Sequence, residues 1–145
     1  MATAPAQFHP VLPLLNDDEL PDASRNVFDD IRATRNTDFV NNIWRALASN
    51  PDLLASTWAD VKSALNPDGA LDLLTKQLIY IAVSVAHGCD YCVRSHVAAA
   101  RNLGATDAQI AELYKVIGVA SKTNRLAGGL QVPIDDVYAS TNPHV

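Results

Sequence analysis

The stretch that decides the fold is residues 77–104, QLIYIAVSVAHGCDYCVRSHVAAARNLG. It contains both cysteines of the chain, Cys89 and Cys92, with two residues between them. On one turn of a helix, residues three apart lie about 5–6 Å from each other, which is within the range that a disulfide can span. The stretch therefore predicts a dithiol at the start of a helix.

A histidine accompanies this pair, since His96 follows Cys92 by four residues. Helical side chains lean toward the N-terminus, so the imidazole is expected to lie back over Cys92. Cys89 is expected in the first turn, where unpaired backbone N–H groups and the helix dipole favour a thiolate. The pattern therefore predicts that both thiols have a lowered pKa and that the imidazole of His96 is a base beside Cys92.

The rest of the chain predicts helices. It has 145 residues, of which 48% are hydrophobic but only 6% aromatic, and no alternating strand pattern is found. This favours an all-α fold of about six to seven helices. Apolar spacing together with start and stop residues, such as Asn50, Thr106 and Gly104, places the helices at 22–34, 38–49, 51–65, 71–86, 89–104 and 106–126.

The predicted organisation is a single helical domain at residues 21–130, with its C-x-x-C core at 71–127. An extended N-terminal arm at 1–20 precedes it, and a tail at 131–145 follows. The helix at 71–86 is apolar nearly all round in its second half, so it is expected to be central or to lie in a subunit interface.

Charge and hydropathy limit the possible partners. The net charge of −5 and the pI of about 5.1 argue against nucleic acid and anionic membranes. The longest apolar run, at 78–86, is too short to span a bilayer, and the N-terminus does not have the pattern of a secretory signal. A cytoplasmic protein is expected, in which a C-x-x-C pair is more often redox-active or metal-binding than structural.

The cysteine pair has two alternative interpretations. The cysteines could simply pack as small apolar residues, or they could bind zinc. Cys89 and His96 are about 10 Å apart along a continuous helix, whereas zinc ligands lie within about 2.3 Å of the metal, so no metal site is predicted. Tyr91 and His87 are possible pocket residues, although Tyr91 could equally pack and His87 could be a solvated helix end.

These features together resemble a known family. The order is an apolar helix, GCDYC at 88–92, His96, a helix ending at Gly104 and a helix start at 106–107. Over about residues 50–126 it resembles the carboxymuconolactone decarboxylase-like superfamily, in its alkylhydroperoxidase D-like (AhpD-like) branch. The resemblance implies an all-α bundle that assembles as a homo-oligomer, a trimer or hexamer.

The resemblance also implies a function, the reduction of hydroperoxides through a dithiol–disulfide cycle. Cys92 would be the peroxidatic cysteine, Cys89 the resolving cysteine and His96 part of a proton relay. The redox-active disulfide Cys89–Cys92 would carry the electrons of this cycle, so that no bound metal, haem or flavin is expected. An outside dithiol, lipoyl-type or thioredoxin-like, would reduce it again.

One position departs from the family pattern. The family relay includes a glutamate twelve residues before the first cysteine, and this position is Gln77 here. Gln77 can orient His96 through a hydrogen bond, but it cannot take a proton or carry a charge. The expectation is therefore an attenuated peroxidase. The alternatives are a lactone decarboxylase-like enzyme and a redox-sensing or interaction module.

Overall fold

The structure, a computed structural model, describes residues 9–139. Over these residues the chain forms seven α-helices and one short 3-10 helix, with no strand. The chain divides after Asn66 into two compact units. The predicted all-α fold class is confirmed.

The first unit is built on three helices, α1 (Asp22–Arg35), α2 (Asn42–Leu47) and α3 (Pro51–Ala64). Both α1 and α2 pack against α3. Trp44 and Trp58 are buried in its core and meet edge to face, with ring centroids 5.4 Å apart. Apolar side chains from every helix of the unit fill the same core, which comprises Leu20, Phe28, Ile31, Val40, Trp44, Ala48, Leu54 and Trp58.

An ionic cluster ties α1 to α3. The Asp30 carboxylate accepts hydrogen bonds from Lys62 Nζ at 2.8 Å and from Trp58 Nε1 at 2.6 Å. The Lys62 bond and then the Trp58 bond lower the pKa of Asp30 below its usual value. The cluster thus stabilises the ionised form of Asp30 at neutral pH.

Part of the predicted arm is anchored to the first unit. The 3-10 helix Asp17–Glu19 lies within it, and the Asp17 carboxylate pairs with Arg32 and Arg45. Burial by itself would raise the pKa of Asp17, but the hydrogen bonds and charges of the two arginines outweigh it and lower that pKa. Residues 1–8 of the predicted arm lie outside the described residues.

The second unit contains the cysteine stretch. It comprises α4 (Leu73–Ala86), α5 (Asp90–Asn102), α6 (Asp107–Gly129) and the short α7 (Asp136–Ala139). The central helix is α4, which packs against both α5 and α6. The tail predicted from residue 131 contains α7, and its residues 140–145 lie outside the described residues.

Local capping explains where several helices begin and end. The side chains of Asn50 and Thr106 accept hydrogen bonds from backbone N–H groups of α3 and α6, as predicted. Gly104 has φ +92°, a left-handed conformation that suits glycine and ends α5. The helix predicted at 38–49 is shorter than expected, because Asn41 takes an extended cap conformation and α2 begins after it.

None of the helices within residues 9–139 combines the length and the apolar character that a bilayer span requires.

Candidate active site

The turn between α4 and α5 places the cysteines. His87 is the C-cap of α4, and Gly88 follows with φ +68°, a conformation that favours glycine. The backbone N–H of Cys89 then donates to Ser84 O at 2.9 Å. This hydrogen bond and the conformation of Gly88 fix the path of the chain into α5, which packs against α4.

Cys89 and Cys92 are joined by a disulfide, with their Cα atoms 5.3 Å apart. Cys89 is the N-cap of α5, one position before the first turn in which the sequence placed it. Its sulfur accepts a hydrogen bond from the backbone N–H of Cys92 at 3.2 Å. Both cysteines are half-buried. After reduction, the Cys89 sulfur is therefore next to the unpaired N–H groups that stabilise a thiolate.

His96 is held by α4. Its Nδ1 lies 2.7 Å from Oε1 of Gln77, whose side chain is only 6% exposed. An amide oxygen can only accept, so Nδ1 carries the hydrogen and Nε2 is the proton acceptor of the neutral ring. The sequence predicted that Gln77 and His96 would lie within about one turn of each other, and the structure shows this proximity.

A second side chain of α4 contacts the same imidazole. The ring of Tyr80 stacks on His96, with centroids 3.8 Å apart and planes inclined by 19°. Because Gln77 and Tyr80 are three residues apart, they share one face of α4. Sequence reasoning missed Tyr80. The available signal was that Tyr80 is the one aromatic residue of α4 and lies one turn after Gln77.

The remaining candidates lie on the surface beside the disulfide. Tyr91 is in the first turn of α5 with 43% of its surface exposed, and His87 is exposed at the end of α4. The structure thus shows two contacts among the predicted site residues, the Cys89–Cys92 disulfide and the contact between Gln77 and His96.

Across residues 9–139, no group of three or more His, Cys, Asp or Glu side chains is arranged to hold a metal ion.

Comparison with known proteins gives a family match and a close structural match. The model of the carboxymuconolactone decarboxylase family matches residues 52–134. The crystal structure of an alkylhydroperoxidase AhpD core from Rhodospirillum rubrum superposes with a TM-score of 0.85 at 52% sequence identity. This match covers 89% of the present chain and 96% of the other. The expected AhpD-like fold is therefore confirmed.

Two curated relatives match over shorter regions. Uncharacterized protein 4 in the cox locus of Paracoccus denitrificans is 53% identical over 45 residues, which are 31% of this chain and 40% of that protein. An uncharacterized protein of Cupriavidus necator is 35% identical over 77 residues, which are 53% of this chain and 68% of that protein. The match to the Paracoccus protein thus spans less than half of that relative's length.

Proposed function

Since the chain belongs to the carboxymuconolactone decarboxylase family, we propose that it is a thiol-dependent peroxidase of the alkylhydroperoxidase type. The observation that carries the proposal is a disulfide-forming cysteine pair one turn from an oriented histidine. Cys89 caps α5, Cys92 follows on the first turn, and His96 lies one turn further on. This arrangement provides a nucleophile, a resolving thiol and a base.

In the oxidative half-reaction, His96 takes the proton of Cys92 and leaves a thiolate. The thiolate attacks one peroxide oxygen, so that an S–O bond forms and the O–O bond breaks. The departing alkoxide takes the proton from His96 and leaves as an alcohol, or as water when the substrate is hydrogen peroxide. Cys92 is then a sulfenic acid. The thiolate of Cys89 attacks its sulfur and expels hydroxide, which is protonated to water, and the disulfide forms.

In the reductive half-reaction, an external dithiol supplies two electrons and its two hydrogens. One of its thiolates attacks the Cys89–Cys92 disulfide, and its second thiol then resolves the mixed disulfide. Lipoyl-type and thioredoxin-like dithiols both have this chemistry. The cycle requires no bound metal, haem or flavin. We propose the cytoplasm as its location, because thiols are kept reduced there.

A homo-oligomer, either trimer or hexamer, is part of the proposal. An apolar stripe along α6 and its C-cap supports it, since four side chains are 51–72% exposed at heptad-like spacing: Val116, Val119 and Leu126 on α6, and the C-cap Leu130. Such a stripe is typical of a surface that packs against another helix. Light scattering should give a multiple of the 15.6 kDa chain mass. Val119→Lys should shift the mass toward the monomer.

The deciding experiment is the intact mass of the reduced protein before and after stoichiometric hydroperoxide, followed over seconds. Disulfide formation removes two hydrogen masses from the wild-type chain. Cys92→Ser should show no change, and Cys89→Ser should gain one oxygen as trapped sulfenic acid. An unchanged wild-type mass over minutes would contradict the proposal, and normal cycling by Cys89→Ser would contradict the resolving role of Cys89.

A further inference from the structure

The cysteine pair is held in position by a contact that does not depend on the disulfide bond. Cys89 and Cys92 have Cα atoms 5.3 Å apart, and their side chains reach each other. The Cys89 sulfur also accepts a hydrogen bond from the backbone N–H of Cys92 at 3.2 Å. A thiolate accepts such a bond more strongly than a disulfide sulfur, because it carries a negative charge. Reduction therefore leaves the two sulfurs side by side at the start of α5.

The pair is also accessible to a ligand from the surface. Both cysteines are half-buried, and residues 86–88 and 90–91, on either side of Cys89, are exposed. A ligand can therefore bind the sulfurs with one of its atoms while the rest of the ligand stays in solvent.

The number and type of donor atoms decide which class of ligand fits. Thiolates are soft donors and prefer soft acceptors. Structural zinc takes four protein ligands, and within residues 9–139 no group of three or more His, Cys, Asp or Glu side chains could hold a metal ion. A ligand that takes two thiolates from the protein and brings its own third substituent fits this site. Trivalent organic arsenic is such a ligand, since it forms one bond to carbon and two to sulfur.

The short span between the sulfurs favours the same class. The three bonds of trivalent arsenic are pyramidal and close to right angles, so two sulfurs bound to it lie near each other. A two-coordinate soft metal ion such as Cu(I) instead prefers its two ligands on opposite sides and needs a wider span. The disulfide shows that the side chains of Cys89 and Cys92 come close together without any break in α5.

We propose that the reduced pair of Cys89 and Cys92 is a binding site for trivalent organoarsenicals of the type R–As=O. Both S–H bonds break and two As–S bonds form, while the arsenic oxygen leaves with the two hydrogens as water. Arsenic stays trivalent, so no electron is transferred. The product is a closed ring that prevents the disulfide from forming. The proposal goes beyond the peroxidase function and does not rest on it, because it requires only the two thiols.

The test uses phenylarsine oxide and the full-length chain. The protein is reduced with a phosphine, which contains no thiol, and the phosphine is removed before the arsenical is added. Intact mass gives the number of arsenicals bound per chain, and alkylation by iodoacetamide counts the thiols that stay free. Competition with 2,3-dimercaptopropanol gives the relative affinity of each variant.

The wild-type chain should take up one phenylarsenic group, lose two hydrogens and retain no thiol that iodoacetamide can alkylate. Because the chain has two cysteines, Cys89→Ser and Cys92→Ser each leave a single thiol. Each variant should bind the arsenical about 10²–10⁴-fold more weakly, because the second As–S bond of the wild type forms within one molecule.

A matched control keeps two thiols in the chain but separates them. Ser95 is half-buried on α5 and follows Cys89 by six residues, which is about 9 Å along the helix. The double variant Cys92→Ser with Ser95→Cys therefore carries two thiols that one arsenic atom cannot join. It should bind as weakly as the single variants, with at most one arsenical on each thiol.

Three results would overturn the proposal: single variants that bind as tightly as the wild type, a wild-type chain that takes up two arsenicals, or a double variant that binds one arsenical as tightly as the wild type. If the double variant does not fold, the two single variants still decide the question. Chelation by a protein that does not react with peroxide would contradict the proposed function alone. Peroxide-driven disulfide formation without chelation would contradict the arsenical site alone.

Discussion

Replacing Gln77 by glutamate places a carboxylate against His96. The amide oxygen is 2.7 Å from Nδ1, so a carboxylate oxygen at the same point would form a charge-assisted hydrogen bond with the imidazolium. At about 4 Å between charge centres and an effective dielectric constant of 20, the attraction is about 4 kcal/mol. The position is buried, so desolvation of the new carboxylate offsets part of this. A net stabilisation of the imidazolium of about 1–3 kcal/mol remains, which raises the His96 pKa in this variant.

The expected gain in rate is smaller than the gain in thiolate. If the thiolate of Cys92 is stabilised to the same extent, its population at pH 7 rises by about 10- to 100-fold. Nucleophilicity falls with thiol pKa, with a Brønsted slope of about 0.4–0.5. The two effects combine to a peroxide reaction about three- to tenfold faster in Gln77→Glu.

Stopped-flow oxidation of the reduced protein at pH 7, under pseudo-first-order peroxide, measures this rate. Gln109→Glu adds the same charge in the exposed capping box at the start of α6 and is the matched control, with no change expected. Gln77→Met removes the hydrogen bond without adding charge and should be slower than wild type. A raised His96 pKa with no increase in peroxide rate would refute the reasoning, because thiolate formation would then not limit the reaction.

Three further predictions concern stability, measured by urea unfolding. Asp30→Asn should cost about 0.5–1 kcal/mol at pH 7, after allowance for solvent screening. Lys62 and Trp58 lower the folded pKa of Asp30, so the contribution exists above the unfolded pKa and disappears as pH falls through the folded pKa. Variant and wild type should therefore converge once the pH is below the folded pKa. An equal difference at neutral pH and in acid would contradict this. Thr106→Ala should cost about 1 kcal/mol through loss of the α6 cap, and no loss would mean that the end of α6 frays. Gly104→Ala should cost about 1–2 kcal/mol, because φ is +92°; a neutral result would show that the turn can rearrange.

The parts of the fold and site that were predicted correctly depend on local rules. The C-terminal end of α5 follows from Gly104, and the starts of α3 and α6 follow from Asn50 and Thr106. The proximity of Gln77 and His96 follows from counting residues on both sides of one helical turn. In each case, the outcome depends on residues close in sequence or on a single hairpin. The spacing of residues along the sequence was therefore enough to predict these features.

The parts that were missed depend on details that spacing does not contain. Whether Cys89 is the N-cap or the first helical residue depends on its own backbone angles, φ −87° and ψ 88°. The stacking of Tyr80 on His96 depends on the rotation of α4 about its axis, to within a fraction of a turn. If α4 were rotated about its axis by one residue, the hairpin of α4 and α5 would still form, but Tyr80 would no longer stack on His96. Tertiary packing sets this rotation, and an aliphatic helix pattern does not predict it.

The resulting site distributes its functions between two helices. The disulfide is local to α5 and its cap, because Cys89 and Cys92 are three residues apart. The orientation of His96, the proposed base, comes from α4, through Gln77 and Tyr80. A change in the packing of α4 against α5 would therefore alter proton transfer while leaving the cysteine pair able to close. Substitutions in the contact between α4 and α5 should therefore change the pH profile of thiol ionisation and leave disulfide formation intact. Counting the free thiols after full oxidation would show whether the disulfide still forms.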